Sequence, residues 1–153
     1  MMKQQANQYC TFTVDTLFLG IKVQQVQEVI RYLEMTRVPL ASPAVSGLIN
    51  LRGQIVTAID LRRRLGLPDR PKGVLPMNVV VRTGDGVVSL LVDSIGDVIE
   101  APDDKFESPP ATLDARGRTL IEGAYKLEDR LMLVLNTREA VEVLNVETLN
   151  KSA

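Results

Sequence analysis

Turn signals interrupt this chain every few residues, and that spacing restricts its fold more than any other feature. In the first half the apolar runs are "QYCTFTV" (8–14), "LFLGIKV" (17–23), "VQEVIRYL" (26–33), "LINLR" (48–52) and "QIVTAIDL" (54–61). In the second half they are "NVVVR" (78–82), "GVVSLLV" (86–92), "DVIEA" (97–101), "LIEGAYKL" (120–127) and "RLMLVL" (130–135). Short runs rich in β-branched residues and bounded by turn residues are strands of an all-β domain. Segment 26–33 also fits a helical period, but Val29, Ile30 and Tyr32 suit a pleated surface, so a strand is expected.

The connections have their own chemistry. Asp15-Thr16 turns the first hairpin, and Thr83-Gly84-Asp85-Gly86 turns a later one. Pro39 and Pro43 make "TRVPLASPAVSG" (36–47) a loop. Asp60 is placed to cap a short helix in "LRRRLGL", where Leu61 and Leu65 share a face and Gly66 and Pro68 end it. "PDRPKGVLP" (68–76) has three prolines in nine residues and is expected to be a linker. Glu128-Asp129 is a further turn. Asn136 caps a last helix, with Glu139 three residues on in a variant of the capping box.

The two halves repeat each other. When "FLGIKVQQVQEVI" (18–30) is set beside "VVSLLVDSIGDVI" (87–99), Ile21, Val23, Val26, Val29 and Ile30 fall on Leu90, Val92, Ile95, Val98 and Ile99, and Glu28 on Asp97. When "GLINLRGQIVTAIDLRRRL" (47–65) is set beside "GAYKLEDRLMLVLNTREAV" (123–141), Gly47, Leu51, Ile55 and Ile59 fall on Gly123, Leu127, Leu131 and Leu135. Both helix caps coincide, Asp60 on Asn136. Two copies of a small β unit, each closed by a short helix, account for the pattern. Closing each sheet into a barrel removes exposed edges. A chain of 153 residues buries enough surface for a stable core, whereas separate units of half that length are marginal, so fused units are expected.

Composition excludes several activities as first readings. The chain carries 18 basic and 19 acidic residues, and its only basic run is Arg62-Arg63-Arg64, which argues against nucleic acid as a partner. There are six aromatics, three Tyr and three Phe, too few for a base-stacking platform. The absence of histidine removes the commonest general base and metal ligand, and Cys10 stands alone without a disulfide partner. No phosphate-binding glycine motif is present. Asp103-Asp104 after Pro102 fits a polar turn better than a metal pair, since a calcium loop needs oxygen ligands at several spacings. Asp60 is more simply a helix cap than a catalytic acid, and Asp97 has no partner pattern to raise it. No enzyme activity, cofactor or metal is expected. The N-terminal segment has no apolar h-region and no run reaches the ~20 residues of a membrane span, so a cytoplasmic chain is expected. Residues 1–8 and 147–153 are expected to be mobile tails, because little apolar pattern ties them down.

Around "INLRGQIV" the apolar pattern exceeds what one layer needs. Ile49 and Leu51 take one face of their strand; Leu48, Asn50 and Arg52 take the other. Both faces of 54–61 are largely apolar, so a second barrel or a partner must cover the outer one. In 26–33, strict alternation puts Val26, Glu28 and Ile30 on one face. Gly53 supplies a tight turn or bulge, and Arg52 beside it is either a solvated arginine or an anchor at the edge of an apolar groove.

The segments "FLGIKVQQVQEVI", "TRVP" (36–39), "VSGLINLRGQIVTAIDLRRRLGL" (45–67), "LLVDSIGDVI" (90–99) and "LMLVLN" (131–136) resemble the CheW family of bacterial chemotaxis coupling proteins. The resemblance spans roughly residues 9–145. It implies a single CheW-like domain over 1–153 made of two intertwined five-stranded SH3-like β-barrels, with approximate units 9–75 and 76–145. It implies a non-enzymatic adaptor between the cytoplasmic tips of chemoreceptors and the regulatory domain of the histidine kinase CheA, recruited to membrane-associated receptor arrays. An adaptor in a pilus or gene-regulatory chemosensory pathway is the alternative. By matching motifs, Val26, Glu28, Val29, Arg52 and Val79 would line the receptor-binding groove, with Gly53 as the structural turn. The resemblance assigns no kinase-contact residues.

Overall fold

Alternation dictates the hairpin that begins the chain. The computed structural model describes residues 6–84 and 86–142. β1 (Ala6–Val14) sets Cys10, Phe12 and Val14 on one face and β2 (Leu17–Lys22) sets Leu17, Leu19 and Ile21 on one face, and the strands pair antiparallel from Tyr9–Lys22 to Val14–Leu17. The turn uses Asp15 in the left-handed region, φ 56°. β1 begins at Ala6, so residues 6–8, expected to be part of a mobile tail, are a strand paired with 100–102; residues 1–5 and 147–153 of the expected tails lie outside the described residues.

A single 3-10 turn, Val23–Gln25, then carries the chain into β3 (Val26–Ile30). β4 (Val45–Leu51) and β5 (Gln54–Asp60) follow, then a one-turn α1 (Leu61–Arg64). The second half holds β6 (Met77–Thr83), β7 (Gly86–Val92), β8 (Ser94–Pro102), β9 (Ile121–Lys126), β10 (Leu131–Leu135) and α3 (Thr137–Ala140). Before β9 lies α2 (Ala115–Leu120), which the apolar pattern did not announce; Asp114 caps it by accepting from the Gly117 N–H. Asp103-Asp104 sits in a 3-10 turn at Asp103–Lys105, in keeping with a polar turn. Both expected caps hold: Asp60 accepts from the Arg62 N–H at 3.0 Å and Asn136 from the Glu139 N–H at 3.2 Å. Asp85 of the expected hairpin turn lies outside the described residues.

The strands form two five-stranded sheets, ordered β8-β1-β2-β10-β9 and β3-β6-β7-β5-β4. Exchanging each strand of the first order for its repeat (β3 for β8, β6 for β1, β7 for β2, β5 for β10, β4 for β9) generates the second. The repeat is therefore real in three dimensions. It also corrects the division at residue 75: each sheet takes strands from both halves, so 9–75 and 76–145 are not one barrel each (143–145 lie outside the described residues). After the turn at Val23–Gln25 the chain does not return beside β2. β3 pairs with β6 of the other sheet instead.

Three apolar clusters follow from this crossing. One fills the concave side of the first sheet with Tyr9, Phe18, Tyr125, Met132 and Val134. Its counterpart in the second sheet holds Ile49, Leu51, Val56, Ala58, Val80 and Leu91. The largest lies between the sheets and contains Phe12, Leu19, Ile21, Ile59, Leu61, Val79, Val81, Leu90 and Leu133. Each such side chain contributes about 1.5–3 kcal/mol by leaving water. The doubly apolar character of β5 is explained here: Val56 and Ala58 face one core, while Ile59 and Leu61 face the other. Ile55 stays 61% exposed.

Loops guard the sheet edges. Thr36 and Leu48 exchange backbone hydrogen bonds of 2.9 and 2.8 Å along β4; Glu107 and Ala124 do so at 2.9 and 3.0 Å along β9. The linker is held too. Arg70 reaches Asp60 at 3.1 Å and Asp93 at 2.7 Å, and Arg62 bonds Asp93 at 2.7 Å and the Pro68 carbonyl at 2.9 Å. These side chains are almost out of water, so their charges must be paired, and they are.

Candidate functional site

The β4–β5 hairpin turns on Arg52 and Gly53 alone, between the paired residues Leu51 and Gln54. Both have positive φ, 52° and 85°, as a two-residue type I′ turn demands. Glycine takes this conformation without strain; the arginine does not. The Gly53 N–H donates to Asn50 Oδ1 at 2.9 Å, which closes the turn.

Across the molecule's surface, Arg52 meets Glu28 on β3. Its Nη1 lies 2.6 Å from Glu28 Oε2 and its Nη2 2.8 Å from Oε1. β3 and β4 are the two outer strands of the same sheet, so this fork joins opposite edges and shows how far the sheet curls. The Arg52 side chain is 72% exposed and that of Glu28 19%. The hydrogen bonds from Arg52 hold the Glu28 carboxyl below its usual range against a smaller opposing effect of desolvation. An exposed pair of this kind adds little stability, but its bidentate geometry orients both side chains.

β3 departs from strict alternation. Val26 pairs with Val81 and Glu28 with Val80, so Gln27 forms a bulge. Val81 belongs to the core between the sheets and Val80 to the concave core. Val26 therefore lies on the opposite face from Glu28 and Ile30, which corrects the expectation that the three share a face. Val26 is half-buried against the inter-sheet core, Ile30 against the concave one. Val29, opposite Val79, is on the Val26 face and is 37% exposed.

Among the expected site residues, Glu28 and Arg52 are joined directly, Gly53 supports the turn, and Val26 and Val29 share a rim. Val79 does not line a surface. It is 1% exposed in the core between the sheets, because β6 is an inner strand flanked by β3 and β7. The reading of the sequence passed over Ile95 and Val98 on β8. They are 36% and 57% exposed and are the repeat mates of Val26 and Val29. The repeat itself was the signal that could have found them. Their neighbours differ, however: the positions matching Glu28 and Arg52 are Asp97 and Glu128, both acidic.

Asp60 is occupied by the Arg62 N–H and by Arg70. Among the described residues no three His, Cys, Asp or Glu side chains group together to hold a metal ion, and no helix is long and apolar enough to cross a membrane.

Residues 8–144 match the family model of the CheW-like domain. The chain is 31% identical to the chemotaxis protein CheW of Bacillus subtilis over 131 residues, covering 86% of this chain and 84% of that one. It is 29% identical to the chemotaxis protein CheW of Thermotoga maritima over 138 residues, covering 90% and 89%. The crystal structure of the scaffolding protein TtCheW from Thermoanaerobacter tengcongensis superposes with a TM-score of 0.77 at 27% identity, covering 86% of this chain and 89% of that one.

Proposed function

This chain belongs to the CheW family, and we propose from that premise that it is a non-enzymatic adaptor in chemotaxis, coupling the cytoplasmic tips of chemoreceptors to the histidine kinase CheA. Its two five-stranded sheets are of the SH3-like kind that this role uses. The halves 9–75 and 76–145 act as one folding unit, since each sheet is incomplete without strands of the other half. The adaptor works where receptors assemble into arrays, recruited there by binding its partners.

The receptor surface we assign is the rim of β3 and the β4–β5 turn. The observation that carries it is the bidentate Arg52–Glu28 fork standing beside the exposed Val29. A receptor helix laid along this rim would set apolar anchors on Val26 and Val29. The charged fork would fix its orientation and disfavour wrong partners more than it would add affinity. Val79 contributes from beneath, by supporting Val29 on the same face.

Reconstitution tests this role. Kinase autophosphorylation with receptor and CheA should rise only when this protein is added. If activity is unchanged, and the protein binds neither partner separately, the adaptor role is wrong.

A further inference from the structure

β3 carries most of the rim, yet it is short and lies at a sheet edge. It pairs only with β6, and the bulge at Gln27 interrupts that pairing. A strand held on one side by so few pairs has a weakly specified register, and a slip of one residue turns every side chain to the other face. Without the bulge, and with Val26 still opposite Val81, Glu28 would stand opposite Val79 and Val29 opposite Asn78. Both would change face, and the rim would be lost.

Two side chains of β6 hold β3 at its ends. At the start, Arg82 Nη1 donates to the Gln24 carbonyl at 3.0 Å and to the Val26 carbonyl at 3.1 Å. These carbonyls lie on either side of the junction between the 3-10 turn and β3. At the finish, Asn78 Nδ2 donates to the Arg31 carbonyl at 3.0 Å. The chain leaves the ladder there and pairs next at Thr36, with Leu48. The bulge lies between the two attachments.

Asn78 is an unusual residue for its position. Asparagine is disfavoured in strands, and a buried amide costs free energy unless its hydrogen bonds are made. Asn78 is nevertheless fully buried on an inner strand, on the same face as Val80 of the concave core. Its Oδ1 accepts from Ser89 Oγ at 2.7 Å, which leaves the amide nitrogen directed at β3. An apolar residue would serve the core better here; the amide serves the neighbouring strand.

We propose that Asn78 and Arg82 are positioning residues of the docking rim: they fasten β3 on both sides of its bulge, and so set Glu28 against Arg52 and leave Val29 exposed. Their effect on binding rests on the assignment of this rim to the receptor; the fastening itself does not.

Two measurements on the full chain keep these apart. One is the titration of the Glu28 carboxyl, followed by carbon NMR at an ionic strength that screens distant charges. The other is affinity for a fragment of a chemoreceptor cytoplasmic tip. Arg82→Ala removes the first attachment at an exposed site, where the fold is retained. Asn78→Val removes the second at similar volume. Each is expected to raise the Glu28 pKa toward its ordinary value as the fork loosens, and to weaken receptor binding about threefold or more. Ser89→Ala disturbs the same buried pair but leaves the bond to Arg31, so Glu28 should titrate there as in the native chain. An unmoved Glu28 titration in either variant overturns the proposal. So does an equal shift in Ser89→Ala, which would reduce the effect to a damaged core. A raised Glu28 pKa with native receptor affinity overturns the role in binding; if Arg52→Ala also binds natively, it is the rim assignment that has failed.

Discussion

Val29 and Val79 sit directly opposite one another on neighbouring strands, on the same face of the sheet, yet one is 37% exposed and the other 1%. The first sheet covers β6 and stops short of β3. A single apolar face thus supplies core at one residue and an exposed rim at the next.

This contrast predicts opposite phenotypes. Val79→Ala should lower unfolding free energy by about 2 kcal/mol, the sum of lost burial and the space left behind. Val29→Ala should change stability by less than about 0.5 kcal/mol while weakening receptor binding. Urea unfolding together with a receptor pull-down on each variant separates the two effects. A receptor-competent Val29→Ala would remove the rim from the assignment.

The Glu28–Arg52 fork is expected to matter for binding and not for folding. Arg52→Ala should keep the thermal midpoint of the native chain and lower receptor affinity about tenfold. Glu28→Gln should have a smaller effect in the same direction, because the amide still offers one acceptor. Surface plasmon resonance against receptor fragments at two salt concentrations checks both. An Arg52→Ala variant with native affinity would make the fork a closure of the sheet and nothing more.

Asp93 makes stability sensitive to acid. Burial alone would raise its pKa, but hydrogen bonds from Arg62, the Asp15 N–H and Arg70 outweigh this and leave it lowered. A carboxylate with a lowered folded-state pKa contributes stability that is fully present above its unfolded pKa of about 3.9. That contribution is lost as pH falls through the lower, folded value. Asp93→Asn should therefore be less stable than the native chain at neutral pH, and the gap should narrow below about pH 4. Urea midpoints measured across that range would reveal it.

Phe106 latches the loop between β8 and α2 over Gly123, where an added Cβ would run into the ring, and its ring lies 5.3 Å from that of Tyr125. Gly123→Ala must displace the ring, and is expected to cost about 1–3 kcal/mol. Removing the ring should relieve the clash, so Gly123→Ala/Phe106→Ala should be more stable than the sum of the single losses implies. Additive losses in a double-mutant cycle would show that the latch bears no load.

Much of this was legible in the linear chain. Strand positions followed from short apolar runs between turn residues, and the Asp60 and Asn136 caps from single polar residues before short helical segments. The repeat foretold two equivalent units, and Glu28 and Arg52, singled out by their match to family motifs, are brought together by the fold. Other features were hidden. Gln27 carries no mark of a bulge, since a bulge is set by the register against β6. Arg52 at positive φ is recognisable only once its turn is known to have two residues. α2 escaped because "ARGRTL" has little apolar period, and its cap at Asp114 gains meaning only from the neighbouring strand.

What the sequence by itself determined is local: which residues extend, which turn, which cap, and that the chain does so twice. These depend on backbone preferences and on side-chain period, which act over a few residues. The tertiary structure decided which half each strand joined, and hence which apolar face became core. It buried Val79, left Val29 in water, and set Arg52 against a carboxylate 24 positions away in the chain. Those outcomes depend on the crossing of two sheets, a relation between distant segments that no stretch of sequence contains.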